Sequence, residues 1–172
     1  MTALQNRFAK IKTFIFDVDG VLTDGSVNLL ASGERFRTVF IRDTFAIEQA
    51  LKAGFRVGIL SSSNSDGVRN WLATMNVKDI FMGGPTDQKV NAYLGYIARD
   101  GLNESEILYM GDDLPDYSIL NRSAVLSACP ADAADEIQSV CSYISPKPGG
   151  RGAVRDVIEQ VLRAQAKWGV PQ

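Results

Sequence analysis

Thr13-Phe14-Ile15-Phe16-Asp17-Val18-Asp19-Gly20 opens on a run of β-prone, uncharged residues and stops abruptly at two aspartates and a glycine. The first four residues predict a buried strand. Beyond the strand end the backbone need not alternate, so Asp17 and Asp19 can face one pocket, and Gly20 permits the tight turn that this requires.

Outward from this segment, strands and helices alternate. Strands are predicted over 56–60, 79–82, 107–110 and 124–127. Helices are predicted over 44–53 with Gly54 as its C-terminal cap, 66–75, 89–99 with Val90, Tyr93, Leu94 and Ile97 as its apolar stripe, and 153 to about 168. That alternation indicates an α/β fold, a Rossmann-like parallel sheet with helices on both faces. Between the first strand and the first helix, 26–30 and 35–40 read as the arms of a β-hairpin around Ala31-Ser32-Gly33-Glu34. The chain is thus read as one domain over 1–172 with a hairpin insertion at about 24–41 and no large cap domain. Three polar clusters follow strand ends: Asp17 and Asp19, Ser61 to Ser63, and Asp112 and Asp113. In open α/β sheets that edge binds ligands, so the three should converge.

Composition narrows the chemistry. The 172 residues are 45% hydrophobic and 22% charged, and 18 basic against 20 acidic residues leave a net charge of −2. That balance gives no general drive toward nucleic acid or anionic membranes. No apolar run approaches the roughly 20 residues that span a bilayer, and the N-terminus lacks the apolar stretch of a signal peptide, so a cytoplasmic location is expected. Cys129 and Cys141 have no metal-ligand spacing and read as reduced thiols. There is no histidine. Ser-His-Asp and Cys-His catalysis and imidazole-based zinc sites are therefore excluded, and carboxylates, lysines, hydroxyls and backbone amides must carry any catalysis.

A lone aspartate at a strand end is ordinarily a turn or a helix cap. Two of them facing one pocket can do more: one carboxylate can attack phosphorus to form an aspartyl-phosphate, while its neighbour serves as acid toward the leaving oxygen and then as base toward water. Two anions beside a phosphate dianion require cations. Mg²⁺ prefers hard oxygen ligands, which Asp17, Asp112 and either Asp113 or Asp116 could supply.

The motifs carry a resemblance. Asp17-Val18-Asp19-Gly20-Val21-Leu22-Thr23-Asp24-Gly25 resembles the first motif of the haloacid dehalogenase-like phosphatases, Ser61 their second, Lys89 their third, and Gly111-Asp112-Asp113-Leu114-Pro115-Asp116 their fourth. Order and spacing agree along almost the whole chain. Within that superfamily the sequence is most similar to the 3-deoxy-D-manno-octulosonate 8-phosphate phosphatases, with the same Val-Leu-Thr-Asp-Gly continuation, a hairpin in place of a cap, and the tail Gly149-Gly150-Arg151-Gly152-Ala153-Val154-Arg155.

The resemblance implies Asp17 as nucleophile and Asp19 as general acid/base. It implies Mg²⁺ between the carboxylates of Asp17 and Asp112 and the backbone carbonyl of Asp19, with Ser61, Ser62 and Lys89 on the phosphoryl oxygens. Asp113 and Asp116 would bind metal through water, orient Lys89 or cap the following helix. It also implies a sugar-acid phosphate substrate and a homotetramer in which the hairpins form a central barrel and a neighbour's tail helps close each site. Val27, Leu29, Leu30, Phe36, Val39 and Phe40 suit such an assembly, or packing on their own domain.

Two departures bear on the substrate. The octulosonate phosphatases carry Arg-Asp-Gly-x-Gly after the hairpin, where this chain has Arg42-Asp43-Thr44-Phe45-Ala46. They carry Thr-Gly-Arg at the second motif, where this chain has Ser61-Ser62-Ser63, so a guanidinium is lost at Ser63. Arg42, Arg151 and Arg155 are then the candidates for a substrate carboxylate. A nine-carbon, sialic-acid-like phosphate competes with the eight-carbon one. A catalytically silent binding or assembly role is countered by the presence of every motif residue. A receiver-like signalling domain is countered by the paired aspartates on the first strand, and nucleotide binding by the lack of a glycine-rich phosphate motif.

Overall fold

The computed structural model describes residues 2–169. Six strands form one parallel sheet in the order β5-β4-β1-β6-β7-β8: β1 is Thr13–Phe16, β4 Arg56–Ser61, β5 Asp79–Met82, β6 Ile107–Met110, β7 Leu126–Cys129 and β8 Tyr143–Ile144. The first strand lies inside the sheet, pairing Phe16 with Ile59 on one side and with Met110 on the other. In that register β1 and β6 end level and β4 runs two residues further to Ser61, so the three polar clusters share one edge of the sheet.

Strand geometry sends alternate side chains to opposite faces. Phe14 and Phe16 enter a core completed by Ile59, Leu108 and Met110 and by helices α1 (Ala3–Phe8), α2 (Ile41–Lys52), α3 (Asp66–Thr74) and α7 (Ala153–Ala164). Ile15, Leu60 and Tyr109 enter the other core, covered by α4 (Lys89–Asp100), α5 (Tyr117–Leu120) and α6 (Asp135–Val140). Both faces are sealed, so between Thr13 and Asp17 the central strand carries only apolar side chains.

Several boundaries differ from the predicted ones. The hairpin strands are only β2, Asn28–Leu29, and β3, Arg35–Phe36, forming a sheet separate from the main one. Val27, Leu29, Leu30 and Phe36 are exposed rather than packed on their own domain, Leu29 at 72%. Helix α2 begins at Ile41 instead of residue 44, because the N–H groups of Asp43 and Thr44 already bond the Phe40 carbonyl. The strand expected from residue 124 begins at Leu126, since Arg7 of α1 takes the carbonyls of Ala124 and Val125. On α4 the buried aromatics are Tyr93 and Tyr96, whereas Leu94 is exposed. Helix α7 ends at Ala164, where Ala166 turns left-handed and the Lys167 N–H closes on the Leu162 carbonyl at 2.7 Å.

Candidate active site

Asp17 leaves β1 in extended conformation with its N–H bonded to the Met110 carbonyl at 3.0 Å. Residues Val18–Leu22 then make one irregular turn around Gly20, whose φ is +85°. A Cβ at Gly20 would collide with the Asp112 carboxylate, so glycine here is what lets the first and fourth motifs touch. From behind, Gly149 and Gly150 lie against the same turn. A Cβ at Gly149 would meet the Gly20 carbonyl, and the Gly150 N–H donates to the Val21 carbonyl at 2.9 Å. The tail motif thus buttresses the catalytic-edge loop although it lies about one domain length away in sequence.

Lys89, the first residue of α4, is buried between two carboxylates, with Nζ 2.8 Å from Asp17 Oδ2 and 2.7 Å from Asp116 Oδ1. Burial alone would pull its pKa down, but the charges of Asp116 and Asp17 outweigh that and leave it raised. Asp17 is pushed up to about 7, by burial first and by the neighbouring Asp116 charge second, against the pull of Lys89. Its Oδ1 accepts from the Val18 N–H at 2.6 Å. Asp112 is pushed up to about 8 by burial and by the charges of Asp17 and Asp116.

Asp116 is fully buried; its Oδ1 also accepts from the Tyr109 hydroxyl, while its Oδ2 is buried without a hydrogen-bond partner among the described residues. Oxygens of Asp17, Asp112 and Asp116 lie within 4.8 Å of one another. Three hard carboxylate ligands, an orphaned buried oxygen and only one compensating cation suit a Mg²⁺ ion with waters completing its shell. Asp113 stands outside this group: it is exposed, and its Oδ1 caps the next turn through the Leu114 N–H at 2.8 Å.

Ser61 is buried at the end of β4, its Oγ accepting from the Ser63 N–H at 3.1 Å, and the Ser62 Oγ is buried with no partner among the described residues. Ser61, Ser62 and Lys89 line one cleft, where a buried hydroxyl without a partner can donate to a phosphoryl oxygen. Asp19 turns away from the carboxylate trio toward Arg37 of the hairpin. Arg37 Nε donates to Asp19 Oδ1 at 2.5 Å, and Nη2 to Asp19 Oδ2 at 3.0 Å and to Ser63 Oγ at 2.9 Å. The bond to Asp19 raises the arginine's pKa further.

Arg42, Arg151 and Arg155 come together with Lys147 along a separate cleft of about 560 Å³. Arg155 is held by Glu159 at 2.6 Å and lies over the rings of Trp168 and Phe45, while Arg151 reaches Asp24 at 3.4 Å. Arg37 and Asp43 were not singled out by sequence reasoning. Asp43 is completely buried and accepts from the Gly152 and Arg155 N–H groups at 3.2 and 2.7 Å, satisfying the first turn of α7. Burial pushes its carboxyl up to about 6 despite those two bonds. Arg42-Asp43, which keeps the Arg-Asp of the family pattern, was the available signal for Asp43; the hairpin offered none for Arg37.

A Rossmann-like sheet with paired aspartates after β1, a hydroxyl after β4, a lysine on α4 and acidic residues after β6 defines a haloacid dehalogenase-like protein, and a hydrolase of that superfamily is among the solved structures with this fold. No family model matches the sequence. The 3-deoxy-D-manno-octulosonate 8-phosphate phosphatase KdsC of Haemophilus influenzae is 31% identical over 170 residues, covering 97% of this chain and 91% of that protein. The chain belongs to that phosphatase family. Among solved structures, the Moraxella catarrhalis 3-deoxy-D-manno-octulosonate 8-phosphate phosphatase, in complex with magnesium ion, phosphate ion and KDO, has a TM-score of 0.90 at 28% identity, covering 96% of this chain and 94% of that one. The Yersinia pestis 3-deoxy-D-manno-octulosonate 8-phosphate phosphatase has a TM-score of 0.89 at 30% identity, covering 95% and 86%.

Proposed function

We propose that this chain is a magnesium-dependent phosphomonoester hydrolase acting on a sugar-acid phosphate, such as 3-deoxy-D-manno-octulosonate 8-phosphate, through an aspartyl-phosphate on Asp17. The observation that carries this reading is the buried lysine at Asp17, with Nζ 2.8 Å from its Oδ2, beside the Asp112 and Asp116 carboxylates. The named activity of the family members supports the same reaction class.

In this reading an Asp17 oxygen attacks phosphorus as the ester P–O bond breaks, and Asp19 gives its proton to the leaving sugar oxygen. Asp19, now a carboxylate, takes a proton from water, whose oxygen attacks phosphorus and releases inorganic phosphate with Asp17 restored. Lys89, Ser61 and Ser62 hold the transferring phosphoryl oxygens, where positioning and fixed positive charge lower the barrier. Asp17 and Asp112, with the Asp19 carbonyl or Asp116, would hold Mg²⁺, which would supply positive charge against the phosphoryl oxygens. Arg42, Arg151 and Arg155, with Lys147, line a separate cleft that suits an acidic ligand.

The remaining elements of the reading are a single domain over 1–172 with the insertion at about 24–41, a cytoplasmic protein, and a homotetramer built on the exposed hairpins. No helix among the described residues is long and apolar enough to cross a membrane. The test is Mg²⁺-dependent phosphate release from a panel of eight- and nine-carbon sugar-acid phosphates, wild type against Asp17→Asn. Release that survives Asp17→Asn sinks the mechanism, and a preference for nine-carbon acids replaces only the named substrate.

A further inference from the structure

We propose that Arg37 is the specificity-determining residue of this site: it docks the carboxylate of an acid sugar phosphate and, in doing so, frees both oxygens of Asp19. The inference rests on the phosphatase reading above. It starts from an anomaly of burial. Arg35 and Phe36 of β3, just before it, are exposed, yet the Arg37 side chain is only 9% exposed because it folds onto Asp19. Its fork occupies both oxygens of Asp19, and Nη2 also reaches the Ser63 hydroxyl, while Nη1 has no hydrogen-bond partner among the described residues.

Two consequences follow. First, a carboxylate clamped on both oxygens by a guanidinium is not free to exchange a proton with a leaving group or a water, so the clamp must open for Asp19 to work. Second, opening it without a replacement partner would leave a mostly buried guanidinium unpaired, which is costly. A ligand carboxylate removes that cost by exchanging one carboxylate for another in the same bidentate geometry. A neutral sugar phosphate offers no such exchange.

The surroundings fit a ligand of this kind. Arg37 lies on the wall of a cleft of about 680 Å³ between the hairpin and the loop after β4, shared with Arg35, Ser62, Ser63 and Asn64. Glu34 and Asp66 also border it, so it is not simply a cationic patch, and Arg37 is the guanidinium aimed at the reacting edge. Ser63 stands where the Thr-Gly-Arg pattern has its arginine, and Arg37 brings a guanidinium to 2.9 Å from that serine's hydroxyl. The cation lost from the loop after β4 is resupplied from the hairpin.

The test compares kcat/KM for a carboxylate-bearing ulosonate phosphate with that for a hexose phosphate lacking the carboxylate, in wild type, Arg37→Ala and Arg37→Lys. The acid-to-neutral ratio is expected to fall at least about tenfold in Arg37→Ala and less in Arg37→Lys, which keeps the charge but not the fork. A ratio within about twofold of wild type in Arg37→Ala, read as the same difference measurement, overturns the proposal. Thermal melts establish that each variant is folded, and Arg37→Gln replaces any that is not. A second arm titrates the free, unphosphorylated sugar acid calorimetrically into Asp17→Asn protein with and without Arg37→Ala. At least about tenfold weaker binding without Arg37 is expected for a lost bidentate pair, and equal affinity overturns the proposal. If wild type hydrolyses neither phosphate, the phosphatase reading fails while this arm still decides the role of Arg37.

Discussion

Lys89 holds together two carboxylates that would otherwise repel at close quarters, and among the described residues it is the cation paired with Asp17 and Asp116. Lys89→Met should therefore abolish phosphate release and cost roughly 3–5 kcal/mol of stability, as expected when a buried pair loses one partner; urea denaturation of the metal-free protein measures the second effect. The pH dependence has the opposite sign from that of an ordinary salt-bridged carboxylate. Asp17 and Asp112 rise from 3.8 to about 7 and about 8 on folding. Between pH 4 and those values the folded state keeps protons that the unfolded state has released, so stability of the metal-free protein falls as pH rises across that window. Mg²⁺ requires the deprotonated carboxylates, so its binding should release protons, tighten up to about pH 8 and recover the lost stability most at the alkaline end. Melting curves at several pH values with and without Mg²⁺ check this, and a flat metal-free profile would contradict it. At this scale Asp17, Asp19, Ser61 and Asp112 stand out in the sequence because three polar clusters follow strands of one sheet, and Lys89 through its place between the second and fourth motifs. The sequence did not show Arg37, whose hairpin pattern is that of a solvent-facing arm. Nor did it show Asp43, whose two donors lie 109 and 112 residues further along the chain.

Among the elements, α7 shows how a helix start is tied to a distant one. Its first turn has no side-chain cap of its own, and Asp43 of α2 accepts the Gly152 and Arg155 N–H groups instead. Asp43→Ala removes both acceptors inside the core, so a loss of about 2–4 kcal/mol is expected from two buried donors left unmade. Asp43→Asn keeps one acceptor oxygen and should lose about half as much. The cost should also reach the site, because Gly149 and Gly150, just ahead of α7, lie against the Gly20 turn. Equilibrium unfolding gives the first quantity, and kcat at saturating Mg²⁺ gives the second. The long elements were legible because α2, α4 and α7 each run 12 residues with periodic apolar positions. The six-residue helices α1 and α6 and the two-residue β8 were missed, since each depends on tertiary partners. Helix α1, for example, is fixed by the Thr2–Gln5 capping box and by Arg7 reaching the edge of β7.

On the scale of the whole molecule, the sealed sheet takes up most large apolar side chains; of the ten exposed among the described residues, six gather on the hairpin and the start of α2, and Leu94, Leu114, Tyr117 and Ile144 are scattered elsewhere. Val27, Leu29, Leu30, Phe36, Ile41 and Phe45 are exposed, with Ile41 at 73%. The apolar pattern of this insertion was visible in the sequence, but the surface it meets was not, because alternation says that a face is covered and not by what. In the proposed homotetramer these side chains meet their copies, each gaining about 1.5–3 kcal/mol when fully buried. Because Leu29 and Phe36 belong to neither core of their own domain, charging them should separate assembly from folding. Leu29→Asp combined with Phe36→Asp should shift the sedimentation coefficient to that of a monomer at micromolar concentration and leave the far-UV spectrum unchanged. It should also raise KM for the acid substrate, because Arg37 sits beside Phe36 on the hairpin and a loosened hairpin would no longer hold its guanidinium over the site. An unchanged assembly mass in the double variant, or a wild-type protein that already sediments as a monomer, would remove the hairpin from the interface and leave its exposed leucines unexplained.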